Sequence, residues 1–104
     1  MLEKIIEKKV CDYAKKCGWL VYKFVSPGQR GVPDRMFVKD GHVIFIEFKQ
    51  LGKKATALQN KHLNRLRSHL IEAYVIDSVA DGLKLLENHD ATTGKSFGIP
   101  KQGG

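Results

Sequence analysis

Residues 31–49 read GVPDRMFVKDGHVIFIEFK, two apolar runs separated by Asp40 and Gly41. An Asp-Gly pair between such runs is a strong signal for a two-residue type I′ turn, so the sequence predicts a β-hairpin here. With that turn, the register places Asp34 directly opposite Glu47. Directly opposed side chains share one face of the sheet, with Cβ atoms about 4.5–5.5 Å apart. The hairpin therefore predicts two carboxylates side by side.

The predicted carboxylates require a cation, because like charges placed directly opposite each other are destabilising. Side-chain alternation puts Lys49 on the same face as Glu47. Carboxylate oxygens suit Mg2+ or Mn2+, and such an ion can activate a bound water and neutralise charge on a phosphate under attack. A solvated strand edge with an ordinary salt bridge would explain Glu-x-Lys alone. That alternative weakens because residues 43–46 are apolar on both faces, which indicates a buried central strand.

Further elements are predicted on both sides of the hairpin. In chain order they are a helix at 2–17, strands at 19–25, 34–39 and 42–49, a helix capped by Thr56, a strand at 72–76, and a short helix capped by Asp77 or Ser78. The helix after Thr56 carries four leucines on its predicted apolar side: Leu58, Leu63, Leu66 and Leu70. Gly18 is expected to end the first helix. The order αβββαβα predicts one α/β domain.

The composition is that of a small basic domain. The 104 residues carry 18 Lys and Arg against 11 Asp and Glu, a net charge of +7, and such an excess attracts polyanions such as DNA. No apolar run approaches the roughly 20 residues that span a bilayer, so we expect a soluble cytoplasmic protein with no membrane partner. Cys11 and Cys17 lie on different faces of the first helix, and we expect both to be reduced.

Three motifs in sequence order carry a resemblance to a known family. They are GVPD at 31–34, EFK at 47–49, and Gln59 in the following helix. Together with acidic residues in the first helix and the Ser-Pro-Gly loop at 26–28, they resemble the VRR-Nuc (virus-type replication-repair nuclease) branch of the PD-(D/E)XK nucleases. Each motif is weak separately, but their order, spacing and strand context are specific. The resemblance covers nearly the whole chain.

This resemblance implies a fold and a site. The fold is the restriction-endonuclease-like α/β fold, an αβββαβ core with a mixed sheet flanked by helices. Asp34, Glu47 and the backbone carbonyl of Phe48 would bind Mg2+ or Mn2+. Lys49 would assist the attacking water, and Gln59 would support the site.

The family also places a glutamate of the first helix near the metal. Glu7 is favoured here, and Glu3 is the alternative four residues away on an adjoining turn. Five cations around the predicted site are candidates for phosphate contacts: Lys23, Arg30, Arg35, Lys53 and Lys54. His42, His62 and His69 share no spacing with the carboxylates and are not assigned as ligands.

The substrate expectation also follows from the resemblance. Stand-alone members of the family resemble viral proteins and include dimers that cut four-way DNA junctions, whereas the domain of the Fanconi-associated nuclease acts on flaps as a monomer-like module. Paired cuts in a two-fold symmetric junction call for two symmetric active sites, which a homodimer supplies. We therefore expect a homodimeric hydrolase that resolves Holliday junctions in DNA repair, in the host cytoplasm if the protein comes from a phage.

Three alternatives stay open at this point. A flap or other branched-DNA nuclease would use the same site. A non-catalytic DNA-binding module is disfavoured by the intact Asp, Glu and Lys, and an RNA-binding protein by the lack of RRM-type or KH-type patterns. We place the nuclease domain at 1–88 and a polar, Gly-rich tail at 89–104, loosely held unless a partner subunit covers it.

Overall fold

A computed structural model describes the backbone of residues 1–96 and the side chains of residues 1–89. Its elements are α1 (Glu3–Lys16), β1 (Leu20–Lys23), β2 (Arg35–Lys39), β3 (His42–Phe48), α2 (Ala57–Ser68), β4 (Glu72–Ile76) and α3 (Val79–Ser96). The predicted order αβββαβα is confirmed. Among the described residues, no helix combines the length and the apolar character needed to cross a membrane.

The four strands form one mixed sheet in the order β1-β2-β3-β4. β2 is antiparallel to β1 and β3, whereas β3 and β4 are parallel. The hairpin register is confirmed, since Lys39 pairs with His42. Asp40 and Gly41 have φ values of 49 and 84, the positive values that a type I′ turn requires at both central positions. β2 begins directly after Asp34, which therefore lies at the open end of the hairpin.

Helices cover both faces of the sheet, so β3 is buried from both sides. Ile44 and Ile46 face α1 and α3, where they join a core cluster that includes Val10 and Leu86. Phe45 faces the other way, into a smaller cluster with residues of α2. The predicted period-2 alternation of β3 is confirmed. The result is a three-layer α/β arrangement in which β3 occupies a central position.

α1 buries a narrower stripe than its sequence pattern predicts. The apolar residues of this helix recur every three or four positions from Leu2 onward. Leu2 and Ile5 are nevertheless 62% and 43% exposed at its start, because only the stripe through Ile6, Val10 and Ala14 is buried. Both cysteines are free, with Cys11 buried and Cys17 half-buried.

α2 also contacts the sheet along a narrow stripe. Leu63 is fully buried, and Leu66 packs against the same cluster. The prediction was wrong for Leu58 and Leu70, which are 43% and 93% exposed. Leu58 lies against the loop at Gly31, where its Cγ would stand 2.8 Å from an added Cβ atom. Leu70 follows the end of the helix at a φ of 64 and so leaves the helical stripe.

α3 is longer than predicted. The sequence predicts a short helix followed by a loose tail from residue 89, but the helix continues through that point to Ser96. His89 explains part of the difference, because its ring is bonded to Glu72 on the sheet and so holds this turn of the helix. Residues 97–104 of the predicted tail lie outside the described residues, and the division at 88/89 into domain and tail stays a prediction.

Candidate active site

Asp34 and Glu47, hereafter the carboxylate pair, lie at the end of the sheet where β2 begins and β3 ends. The backbone fixes Asp34 on two sides. Its carbonyl oxygen accepts a hydrogen bond from the Phe24 amide at 2.9 Å, and its Oδ2 accepts one from the Phe48 amide at 2.9 Å. The second bond ties Asp34 to the strand that carries Glu47 and brings the Phe48 peptide against the carboxylate.

Glu47 is a buried carboxylate, only 3% exposed. Its Oε2 accepts a hydrogen bond from Gln59 Nε2 at 3.0 Å and lies 3.7 Å from Lys49 Nζ. Its Oε1 is buried and has no hydrogen-bond partner among the described residues. A buried oxygen of this kind is costly, because nothing replaces the water that it gave up. A buried polar atom without a hydrogen-bond partner is expected where a ligand binds.

The electrostatics of the carboxylate pair favour protonation when no cation is present. Burial raises the pKa of Glu47 to about 7, the charge of Asp34 adds to the effect, and Lys49 opposes it. Burial also raises the pKa of Asp34, against the hydrogen bond from the Phe48 amide, and the charges of Glu7 and Glu3 raise it further. The charge of Asp34 thus makes Glu47 harder to ionise, as expected for like charges in a buried site.

Gln59 couples the start of α2 to the carboxylate pair. Thr56 caps α2 as predicted, in a capping box with Gln59. The Thr56 amide donates to Gln59 Oε1 at 2.9 Å, so the Nε2 group of the same side chain is the end presented to Glu47. The Thr-x-x-Gln spacing at 56–59 is a sequence signal for this box. The box fixes which end of the Gln59 amide faces the carboxylate.

The residues present fit a hard divalent cation. Asp34 and Glu47 offer carboxylate oxygens, and Glu47 Oε1 has no other partner in the described part of the chain. The carbonyl of Phe48 belongs to the peptide segment that contacts Asp34. Oxygen donors of this type suit Mg2+ or Mn2+. Positive charge between the two carboxylates would also offset the repulsion from Asp34 that raises the pKa of Glu47.

The structure brings both glutamates of α1 near the carboxylate pair. Glu7 Oε2 accepts a hydrogen bond from Arg35 Nε at 2.7 Å. Glu7 raises the pKa of Asp34, and Glu3 raises the pKa of both Asp34 and Glu47. Arg35 pairs with Ile46, so its side chain lies on the sheet face that α1 covers. Either glutamate is therefore placed to act on the site, and the choice of Glu7 stays a prediction.

The predicted phosphate-contacting cations gather at one end of the sheet. Lys23 ends β1 opposite Arg35, and Arg30 is exposed in the loop that follows β1. Lys53 and Lys54 are exposed in the loop after β3, which leaves the same end of the sheet. These loops border the carboxylate pair on two sides.

A groove between α1 and the start of the sheet adds cations that the sequence reasoning missed. Its volume is about 310 Å3, and Lys4, Lys8, Lys15, Lys23 and Arg35 line it together with Glu7, Cys11 and Asp12. The three α1 lysines belong to the polar face of an amphipathic helix, and that sequence signal does not distinguish a groove from open solvent. Lys8 is paired with Asp12 at 2.7 Å on the exposed surface.

Comparison with known proteins places the chain in a family. No protein-family model matches it. It is 43% identical over 77 residues to "Putative nuclease p44" of Acyrthosiphon pisum secondary endosymbiont phage 1, an alignment that covers 73% of this chain and 83% of that protein. It is also similar to a solved "VRR_NUC domain", with a TM-score of 0.77 and 26% identity over 84% of this chain and 96% of that one. The chain belongs to the VRR-Nuc family. The family resemblance and the restriction-endonuclease-like α/β fold expected from the sequence are thereby confirmed.

Proposed function

We propose that this VRR-Nuc chain is a nuclease that hydrolyses DNA phosphodiester bonds with Mg2+ or Mn2+ bound at the carboxylate pair. The observation that carries the proposal is the buried oxygen of Glu47 that lacks a partner among the described residues, beside a second carboxylate. Family membership and the nuclease description of the phage relative support hydrolytic activity. The net charge of +7 suits a polyanionic substrate.

Each residue of the site has a separable task in this proposal. Asp34, Glu47 and the Phe48 carbonyl would hold the ion, which supplies an activated water and neutralises charge on the phosphate. Gln59 donates a hydrogen bond to Oε2 of Glu47, so the other carboxylate oxygen would be the one available to the ion. Lys49, 3.7 Å from Glu47, is placed to orient the attacking water or to stabilise the negative charge that develops on the phosphate.

The path proposed for DNA follows the cations around the carboxylate pair. Lys23, Lys53 and Lys54 are exposed and able to meet phosphates without giving up a buried partner. Arg35 differs from these lysines because its Nε already donates a hydrogen bond to Glu7. The groove along α1 extends the basic surface and gives one strand of a duplex or branch a place to lie. Phosphate contacts of this kind set affinity and register without reading sequence.

We further propose that two copies of the chain act together on a four-way junction. β1 is an edge strand of the sheet, and Leu20 and Tyr22 on it are 54% and 50% exposed. Val25, just after the strand, is 70% exposed. Exposed edge strands with apolar side chains are typical pairing surfaces. A two-fold dimer formed through this edge would supply two sites for the two cuts that resolve a junction.

The test is cleavage of labelled four-way junction, 5′ flap, 3′ flap, duplex and single-stranded DNA in Mg2+ or Mn2+. Asp34→Ala and Lys49→Ala are compared with wild type and with Lys84→Ala, an exposed lysine on α3. We expect paired symmetric nicks in the junction from wild type and Lys84→Ala, and none with EDTA or in the two site variants. Light scattering is expected to give the mass of a dimer.

The other outcomes separate the alternatives. Cleavage of flaps in preference to junctions by a monomer would replace the junction proposal with a flap nuclease that uses the same site. DNA binding without any cleavage would make the chain a binding module. Equal cleavage by Asp34→Ala and wild type would remove the carboxylate pair from the mechanism.

A further inference from the structure

Three side chains that commonly bind metals meet at the other end of the sheet from the carboxylate pair. His42 begins β3, Glu72 begins β4, and His89 lies on α3. Each side chain offers one possible ligand atom, and these three atoms all lie within 4.8 Å of one another. We propose that this trio, hereafter the His-Glu-His cluster, binds Zn2+ at a second metal site that fastens α3 to the sheet.

The ring of His89 is oriented as a metal-binding histidine usually is. Its Nδ1 lies 3.0 Å from the carbonyl oxygen of Leu85, which can only accept a hydrogen bond, so Nδ1 carries the proton. Nε2 therefore faces Glu72, 2.8 Å from both carboxylate oxygens. A backbone carbonyl on the distal nitrogen is the typical partner that orients a metal-bound imidazole. With a neutral ring, the Nε2 lone pair and the carboxylate need a cation between them.

A protonated His89 ring would itself be such a cation, in an ion pair with Glu72. The position of His42 favours a bound metal over this ion pair. An ion pair needs only His89 and Glu72, yet the His42 ring packs edge-on to His89 with centroids 5.5 Å apart. Two imidazoles and one carboxylate are a known ligand set for Zn2+, with water in the fourth position. Ligand atoms around tetrahedral zinc are about 3.3 Å apart, so closure of the cluster needs side-chain movements of roughly 1 Å.

The groups around the cluster favour an ionised Glu72. Burial opposes its ionisation, but the hydrogen bond from Tyr74 lowers the pKa of Glu72, and so does His89 while its ring is protonated, so that the pKa is lowered on balance. The Tyr74 hydroxyl donates to Glu72 Oε1 at 2.5 Å. Lys39 pairs with His42 across the hairpin, and its ammonium donates to the Cys17 carbonyl at 2.5 Å. The cluster thus contains a carboxylate and two imidazoles, with the neighbouring ammonium already engaged.

Geometry separates this cluster from the carboxylate pair. His42 and Phe48 are the two ends of β3, a length of roughly 20 Å at about 3.3 Å per residue. The two sites also lie on opposite faces, because β3 alternates and Glu47 faces away from α1 and α3. A metal in the cluster would link the starts of β3 and β4 to the later turns of α3. Its expected role is therefore structural, and it does not depend on whether the chain cuts DNA.

The test uses untagged protein in which Asp34→Asn and Glu47→Gln have removed the carboxylate pair as a metal site. After metal removal, we expect one equivalent of Co2+ to produce the visible absorption of tetrahedral cobalt, and Zn2+ to displace it. Zn2+ at 100-fold excess over its Kd should raise Tm by about 10 °C or more.

His42→Ala in the same background is the decisive variant, because it leaves the bond between His89 and Glu72 in place and the fold supported. It should lose both the cobalt spectrum and the Tm shift, whereas His69→Ala, at an exposed position after α2, should retain them. Absence of the cobalt spectrum, or a zinc shift that persists in His42→Ala, would overturn the proposal and leave a protonated His89 paired with Glu72. Neither result depends on nuclease activity.

Discussion

Replacement of Glu47 by Gln should stabilise the metal-free protein at alkaline pH while it abolishes cleavage. Gln is nearly isosteric with Glu, and its carbonyl oxygen can still accept the hydrogen bond from Gln59 Nε2. The substitution removes a charge that is buried beside Asp34. It therefore tests directly whether Glu47 is held in an unfavourable state for the sake of a bound cation.

The magnitude follows from the pKa of Glu47, which rises from 4.5 to about 7 on folding. The folded protein then binds more protons than the unfolded chain between these two values, so this group stabilises less as pH rises from 4.5 to about 7. Each pKa unit corresponds to about 1.4 kcal/mol, so ionised Glu47 costs the folded state about 3 kcal/mol at pH 8. At pH 5 the same cost is under about 1 kcal/mol.

The assay is urea unfolding in EDTA at pH 5 and pH 8, with the free energy of unfolding obtained by linear extrapolation. Asp40→Asn is the matched control, because Asp40 is an exposed carboxylate at a turn that also accepts Asn. We expect Glu47→Gln to exceed wild type by about 3 kcal/mol at pH 8 and by much less at pH 5, and the control to show no such trend. A Glu47→Gln variant that is less stable than wild type at pH 8, or a gain that is equal at both pH values, would refute the reasoning. Added Mg2+ should then stabilise wild type much more than the variant.

Three further predictions address the support of the site and its approach to DNA. Gln59→Ala should lower kcat strongly, because it removes the hydrogen bond to Glu47. It should also lower the free energy of unfolding by about 1 kcal/mol, because it removes half of the capping box. Asn60→Ala should leave kcat unchanged; steady-state cleavage measures kcat, and urea unfolding measures stability. Gly31→Ala should destabilise more than Gly28→Ala in thermal unfolding, because both have positive φ but only Gly31 would bring a Cβ within 2.8 Å of a neighbouring side chain. Lys23→Ala should weaken binding to all DNA substrates alike and reduce the salt slope of log K by about one, as measured by fluorescence anisotropy; an unchanged slope would remove Lys23 from the interface.

The hairpin shows why part of the candidate site could be predicted. Its turn chemistry is local, since Asp40 and Gly41 adopt the positive φ angles that a type I′ turn requires. Once the turn is fixed, the register and the two-residue alternation set which residues face each other. The opposition of Asp34 and Glu47 could therefore be worked out from their positions along the chain.

The same local reasoning failed for residues whose environment depends on another part of the chain. Leu58 follows the helical period yet faces solvent and the Gly31 loop. Residue 89 was the predicted start of a loose tail, but α3 continues through it, where His89 is bonded to Glu72 on the sheet. Periodicity predicts which side of a helix is apolar, and packing decides how wide a stripe is buried.

The sequence alone determined the order of the elements, the hairpin register and the shared face of the carboxylates, because turn preference and side-chain alternation act between near neighbours. The tertiary structure decided the raised pKa of Glu47, which depends on its burial between the layers. The tertiary structure also brings His42, Glu72 and His89 close together. That cluster requires the parallel pairing of β3 with β4 and the continuation of α3 as far as His89. These are contacts between distant segments, whose free energy is gained only when the whole chain folds.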